Sequence, residues 1–197
     1  RQGAGSGRRL IVLENENLII LTPTGVEAEA IHRAVCSKRG ALWVLGTNAN
    51  QWVDEHTSRI PDRWLSYERA LIVRNPFTRA LALFEEYNQH REKVINSKPY
   101  TFAEFIGNLA RLDWHYSQTI ADWVSFHDPV KVIHYETLSK DLKALGVSCR
   151  LKLPEIENWR EQWYKIGAEL IIYFRAFAVQ DVFKYGYAEK VISEIEA

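Results

Sequence analysis

Cysteine is scarce in this chain of 197 residues, which holds only Cys36 and Cys149. Two cysteines allow one bridge at most, and a domain of this size folds without a disulfide framework. No His/Cys group has the spacing of a metal site. Charge of one sign is not in excess, because 25 Lys and Arg balance 25 Asp and Glu. Bulk charge therefore selects neither nucleic acid nor a membrane surface as partner, and any anion site must be local. No apolar run approaches the ~18 residues of a membrane span. No Asn-x-Ser/Thr acceptor occurs, which favours a cytoplasmic over a secreted or lumenal chain. Neither Gly-x-x-x-x-Gly-Lys-Ser/Thr nor Gly-x-Ser-x-Gly is present, so the phosphate loop of nucleoside triphosphatases and the serine-hydrolase elbow are both missing. Methionine is absent throughout, an initiator included, as in a processed fragment or a chain with residues missing.

What is present suits one globular domain with a sizeable core: 47% hydrophobic and 25% charged residues. Arg1 to Arg9, rich in Gly and Ser, reads as a flexible tail ahead of a single α/β domain over 10–197. Seven Trp, nine Tyr and eight Phe supply core material, with some free to line an acceptor groove.

Short apolar runs mark the strands. Leu10–Leu13 and Leu18–Thr22 flank Glu14-Asn-Glu-Asn17 as a strand pair, and 41–45, 70–73 and 131–134 are three more. Between them Val26–Ser37 has helical character, in which Thr24 and Glu27 fit a capping box. A second box, Thr101 with Glu104, opens a later helix. Helical periodicity runs over Trp114–Phe126, and a long helix is expected from about Ile156 to Phe183. Strands alternating with helices predict a three-layer α/β domain, a central mainly parallel sheet flanked by helices. Asp181 reads as a solvated or helix-pairing acid, Tyr185 and Tyr187 as core.

The densest signal lies over Leu71-Ile-Val-Arg-Asn-Pro-Phe-Thr-Arg79 and on to Tyr87. Ala70 to Val73 forms a buried strand that ends in Arg74. Asn75 is a preferred N-cap, and Pro76 loses nothing at the first helical position because its missing N–H has no partner there anyway. Phe77, Ala80, Leu81, Phe84 and Tyr87 then recur at helical spacing. Arg74 is thus placed at a strand end beside a helix N-terminus, where free N–H groups and the dipole favour an anion.

The order Val-Arg-Asn-Pro-x-x-Arg resembles the 3′-phosphate segment of sulfotransferases, which move a sulfuryl group from 3′-phosphoadenosine 5′-phosphosulfate (PAPS) to a hydroxyl or amine. The resemblance implies a P-loop-like fold and gives Arg74 the 3′-phosphate. The family's serine in this segment is Ala82 here, and its tyrosine is Phe84. Leu18-Ile-Ile-Leu-Thr-Pro-Thr-Gly25 resembles the loop that wraps the 5′-phosphosulfate, through Pro23, Thr24 and Gly25. The family's lysine between Pro and Thr is absent, and Arg33 and Lys38 are the nearest substitutes. Phe102-Ala-Glu-Phe105, His115-Tyr-Ser-Gln118, Val132-Ile-His-Tyr-Glu-Thr-Leu138 and Asp181-Val-Phe-Lys-Tyr-Gly-Tyr187 repeat the order of the family's carbohydrate-type branch.

The resemblance therefore implies transfer from PAPS to a hydroxyl of a carbohydrate or small-molecule acceptor, with no metal, no nucleic acid and no membrane partner. A base is required, and His56, flanked by Asp54 and Glu55, is the nearest histidine to the family's position. A different class fits the altered positions: a catalytically impaired nucleotide-binding or protein-interaction module on the same fold. A P-loop-like kinase is the third reading, and the missing Lys-Ser/Thr of the phosphate loop counts against it.

Overall fold

The computed structural model describes residues 9–36, 42–45, 64–124, 131–147, 153 and 156–187. The chain divides into two compact units, Arg1–Val73 with His127–Leu153, and Arg74–Phe126 with Pro154–Ala197.

The first unit is built on a five-stranded sheet. Its strands are β1 (Arg9–Leu13), β2 (Leu18–Thr22), β3 (Leu42–Leu45), β4 (Glu68–Val73) and β5 (Lys131–His134), in the order β3-β1-β2-β4-β5. The four-residue connection Glu14-Asn-Glu-Asn17 makes a single 3₁₀ turn and leaves through Asn17 in the left-handed region, at φ 49°. β1 and β2 thereby pair antiparallel, Leu13 opposite Leu18, as the strand-pair pattern predicts. The sheet is mixed rather than simply parallel. β2, β4 and β5 are parallel neighbours, whereas β1 runs against both β2 and β3. β3 therefore points the same way as β2, and four of the five strands share one direction. β1 begins at Arg9, the last residue counted with the tail; the rest of that tail lies outside the described residues.

Alternation along the strands decides which side chains meet the helices. Ile11 and Leu13, Leu18 and Ile20, Ala70 and Ile72, and Ile133 share one core with Ile31 and Val35 of α1 (Ala28–Cys36) and with Leu138 and Leu142 of a second helix, Leu138–Ala144. The intervening residues Val12, Ile19, Leu21, Leu71 and Val73 are equally inaccessible. Burial on both faces is why these strands read as unbroken apolar runs instead of alternating ones. β5 closes one edge with exposed Lys131, whose Nζ lies 2.9 Å from Glu68 on β4.

The regular elements among the second unit's described residues are all helices. It comprises α2 (Pro76–His90), α3 (Phe102–Gly107), α4 (Trp114–Ser117) and α5 (Ile120–Val124), and, numbering Leu138–Ala144 of the first unit as α6, α7 (Trp159–Tyr164) and α8 (Ala168–Lys184). Its core is aromatic. Phe77 packs edge-on against Trp163 with ring centres 4.8 Å apart, and Phe174 lies 4.6 Å from Trp163. The indole Nε1–H of Trp163 donates to the Phe77 carbonyl at 3.1 Å, so the polar end of this large ring is satisfied inside the core.

Two helices expected as continuous are broken. Gln118 and Thr119 separate α4 from α5, because Thr119 caps a new start: its Oγ1 accepts the Asp122 N–H at 3.0 Å. The long helix over Ile156–Phe183 is α7 and α8, divided at Gly167 with φ 90° and ψ 153°, a region essentially reserved for glycine.

Candidate functional site

The strand–Arg–Asn–Pro–helix segment forms as its residues predict. β4 ends at Val73, and Pro76 opens α2. Asn75 caps that helix through its side chain, Oδ1 accepting the Phe77 N–H at 2.9 Å. Arg74 stands between the strand end and the cap and is buried, with only 2% of its surface exposed. Moving a guanidinium out of water is costly without compensating charge or hydrogen bonds.

Arg79, one turn further, is buried as well, at 6% exposure. Its Nη1 donates to the Gln118 carbonyl at 3.0 Å. Burial lowers its pKa; Asp181 opposes that shift, Arg74 adds to it, and Glu86 opposes it again. Asp181 completes the set. Its carboxylate accepts the N–H of Ile120 at 2.8 Å and that of Ala121 at 2.7 Å, at the free start of α5. Burial pushes its pKa up, while Arg79 and the two N–H groups pull it back. Of the buried charged side chains among the described residues, two are arginines and one is an aspartate.

A small cavity between Arg79, Phe105, Tyr116, Phe174 and Asp181 has room for about one water molecule. It is a packing space and does not suit a nucleotide.

Pro23, Thr24 and Gly25 follow the carboxyl end of β2 in the first unit; Pro23 is buried, Thr24 and Gly25 half-buried. The chain turns here through Gly25 at φ 84° and Glu27 at φ 55°. Because α1 begins at Ala28 and the Ile31 N–H bonds the Glu27 carbonyl, Glu27 occupies the cap position. The capping box expected at Thr24 is therefore not the start of the helix, and Thr24 lies three residues upstream of the cap. Arg33 is exposed in the last turn of α1, at the end of the helix remote from this loop. Lys38 and the candidate base His56 lie outside the described residues. Ala82 is half-buried on α2.

Of the two readings of Asp181, solvated or helix-pairing, the structure excludes the first: it is inaccessible and joins α8 to the start of α5. Arg79 belongs to the inward face of α2 along with Phe77, Ala80 and Leu81. A charge lodged in an apolar helical stripe was the available signal for Arg79. Its opposite number is 102 positions away in sequence (181 minus 79), beyond any local pattern.

Among the described residues there is no cluster of three or more His, Cys, Asp or Glu able to hold a metal ion, and no helix long and apolar enough to cross a membrane. Compared with known proteins, the chain matches no protein-family model, no curated protein and no solved structure.

Proposed function

We propose that this chain is a sulfotransferase-type domain of P-loop-like fold that binds the 3′-phosphorylated nucleotide of PAPS, with Arg74 holding the 3′-phosphate and Pro23, Thr24 and Gly25 following the 5′-phosphosulfate. The observation that carries the reading is local: Arg74 immediately follows the parallel strand β4 and precedes Asn75, whose side chain caps α2. The loop Pro23–Gly25 follows β2, the parallel neighbour of β4. In open α/β sheets ligands are taken beyond the carboxyl ends of such strands.

PAPS supplies an activated sulfuryl group. In the proposed reaction an acceptor hydroxyl attacks sulfur in line, the bond from sulfur to the bridging phosphate oxygen breaks, and the hydroxyl proton passes to a base, for which His56 is the candidate. Arg74 and the loop position the reactants, and most of the rate comes from orientation and charge stabilisation.

The second reading is a nucleotide-binding or interaction module without turnover. It is favoured by the loop, where no lysine stands between Pro23 and Thr24, and by Arg33, which is at the far end of α1. Losing one preorganised charge donor costs about 10²–10³ in rate. Calorimetric titration with adenosine 3′,5′-bisphosphate and with ATP, alongside transfer of radiolabelled sulfuryl to hydroxyl acceptors, separates the readings. Bisphosphate binding with slow transfer supports the first, and binding without transfer supports the second. Preference for ATP overturns the first.

A further inference from the structure

Helix α8 carries an apolar stripe that its own unit does not bury. Ile171, Phe174, Ala178 and Val182 are buried. On another side of the same helix Ile172 is 64%, Val179 43% and Phe183 68% exposed, and Ala176 is exposed with them. These four positions are separated by four, three and four residues. At ~100° per residue they fall within an arc of about 60°. That is the rhythm of a supercoiled helix seam, in which two helices interlock along one stripe.

We propose that this stripe joins two copies of the chain, α8 packing antiparallel against α8 of the other copy about a two-fold axis. The charges at the two helix ends favour a second copy as the occupant and an antiparallel direction. Glu169 lies in the first turn and Lys184 in the last, and both are exposed. On a helical projection the two fall on the same flank of the stripe. An antiparallel two-fold sets equal flanks together with their ends reversed, so Glu169 of each copy meets Lys184 of the other. Parallel pairing would place like charges at the same level. Antiparallel helix dipoles add to the preference. Within the seam Ile172 faces Phe183 of the other copy, and the small Ala176 faces Val179, which lets the axes approach at the crossing. A surface complementary to itself under one two-fold is the requirement of a symmetric dimer.

Three turns of helix bury less than a standard interface, so the dimer belongs to the weak, transient class. Sedimentation equilibrium of the full chain over a concentration series tests this. Phe183→Glu is expected to weaken association about tenfold or more. Glu169→Lys and Lys184→Glu are each expected to weaken it about threefold, and the two together to restore it. All three positions are exposed, and the far-ultraviolet circular dichroism of each variant confirms that it remains folded. A chain that stays monomeric up to ~1 mM, as when another partner or segment covers the stripe, overturns the proposal. So does association indifferent to Phe183→Glu, or a double charge swap that fails to recover.

Discussion

Asp181 accepts the backbone N–H of Ile120 across 61 positions of sequence. A carboxylate on the last described helix thereby closes the start of α5, adding to the local cap that Thr119 provides. The same carboxylate offsets the burial of Arg79, so one side chain answers both for a helix end and for a buried cation.

Removing it should be expensive. Asp181→Ala leaves two buried N–H groups without their acceptor and removes the largest opposing charge on Arg79, and a loss of about 3–5 kcal/mol is expected. Asp181→Asn keeps one carbonyl acceptor and should fall between. Urea unfolding measures both, and a loss below ~1 kcal/mol for the alanine variant would contradict the role.

Tyr185 gives a signature in alkali. Burial, and then the negative charge of Asp181, push its phenol up from 10.0 to about 12. The folded chain holds this proton where the unfolded chain has released it. Its contribution to stability is complete below about pH 10 and is lost as pH rises through about 12. Tyr185→Phe should flatten that decline in stability measured against pH, and should remove one late-titrating phenol from the near-ultraviolet absorbance.

Gly167 and Gly107 should respond in opposite directions to alanine. At Gly167 the backbone lies at φ 90° and a Cβ meets nothing within 4 Å, so any loss comes from conformation alone, about 1–3 kcal/mol. At Gly107, the last residue of α3, a Cβ makes ordinary contact with Leu170 at 3.8 Å. Alanine there should be neutral or stabilising by about 0.5–1 kcal/mol. Thermal unfolding of the two single variants compares them directly.

Arg74 tests the proposed function. A charge-assisted contact contributes about 1.5–3 kcal/mol, so Arg74→Ala should weaken adenosine 3′,5′-bisphosphate binding at least about tenfold. Equal affinity of the variant in calorimetry would remove Arg74 from the site. A parallel denaturation curve distinguishes lost binding from lost folding.

The features legible in the sequence were those whose causes are local. Asn75 caps α2 and the Thr101–Glu104 box opens α3, with Thr101 Oγ1 taking the Glu104 N–H and Glu104 returning to the Thr101 N–H, because each partner lies within three residues. All five strands were marked by their apolar runs. The place of β1 between β2 and β3 depends on pairing with a distant segment, which composition does not encode. The break at Gly167 was hidden because the apolar spacing continues on both sides of it, although a glycine inside a helical pattern was the clue. The burial of Arg79 depends on Asp181, a partner that no window along the chain contains.

The first unit is interrupted: its sheet needs β5, which follows β4 only after residues 74–126 of the other unit. The second unit is interrupted in turn by residues 127–153. No single cut in the polypeptide therefore releases an intact half. During synthesis β4 waits for its parallel neighbour until residues 131–134 emerge, and the helical unit waits longer still, for α7 and α8. Closing such long segments costs entropy before the contacts repay it, and folding dominated by distant pairings is slow. A nascent chain halted before residue 131 carries β4 without its β5 neighbour, a strand edge that chaperones or neighbouring chains can occupy.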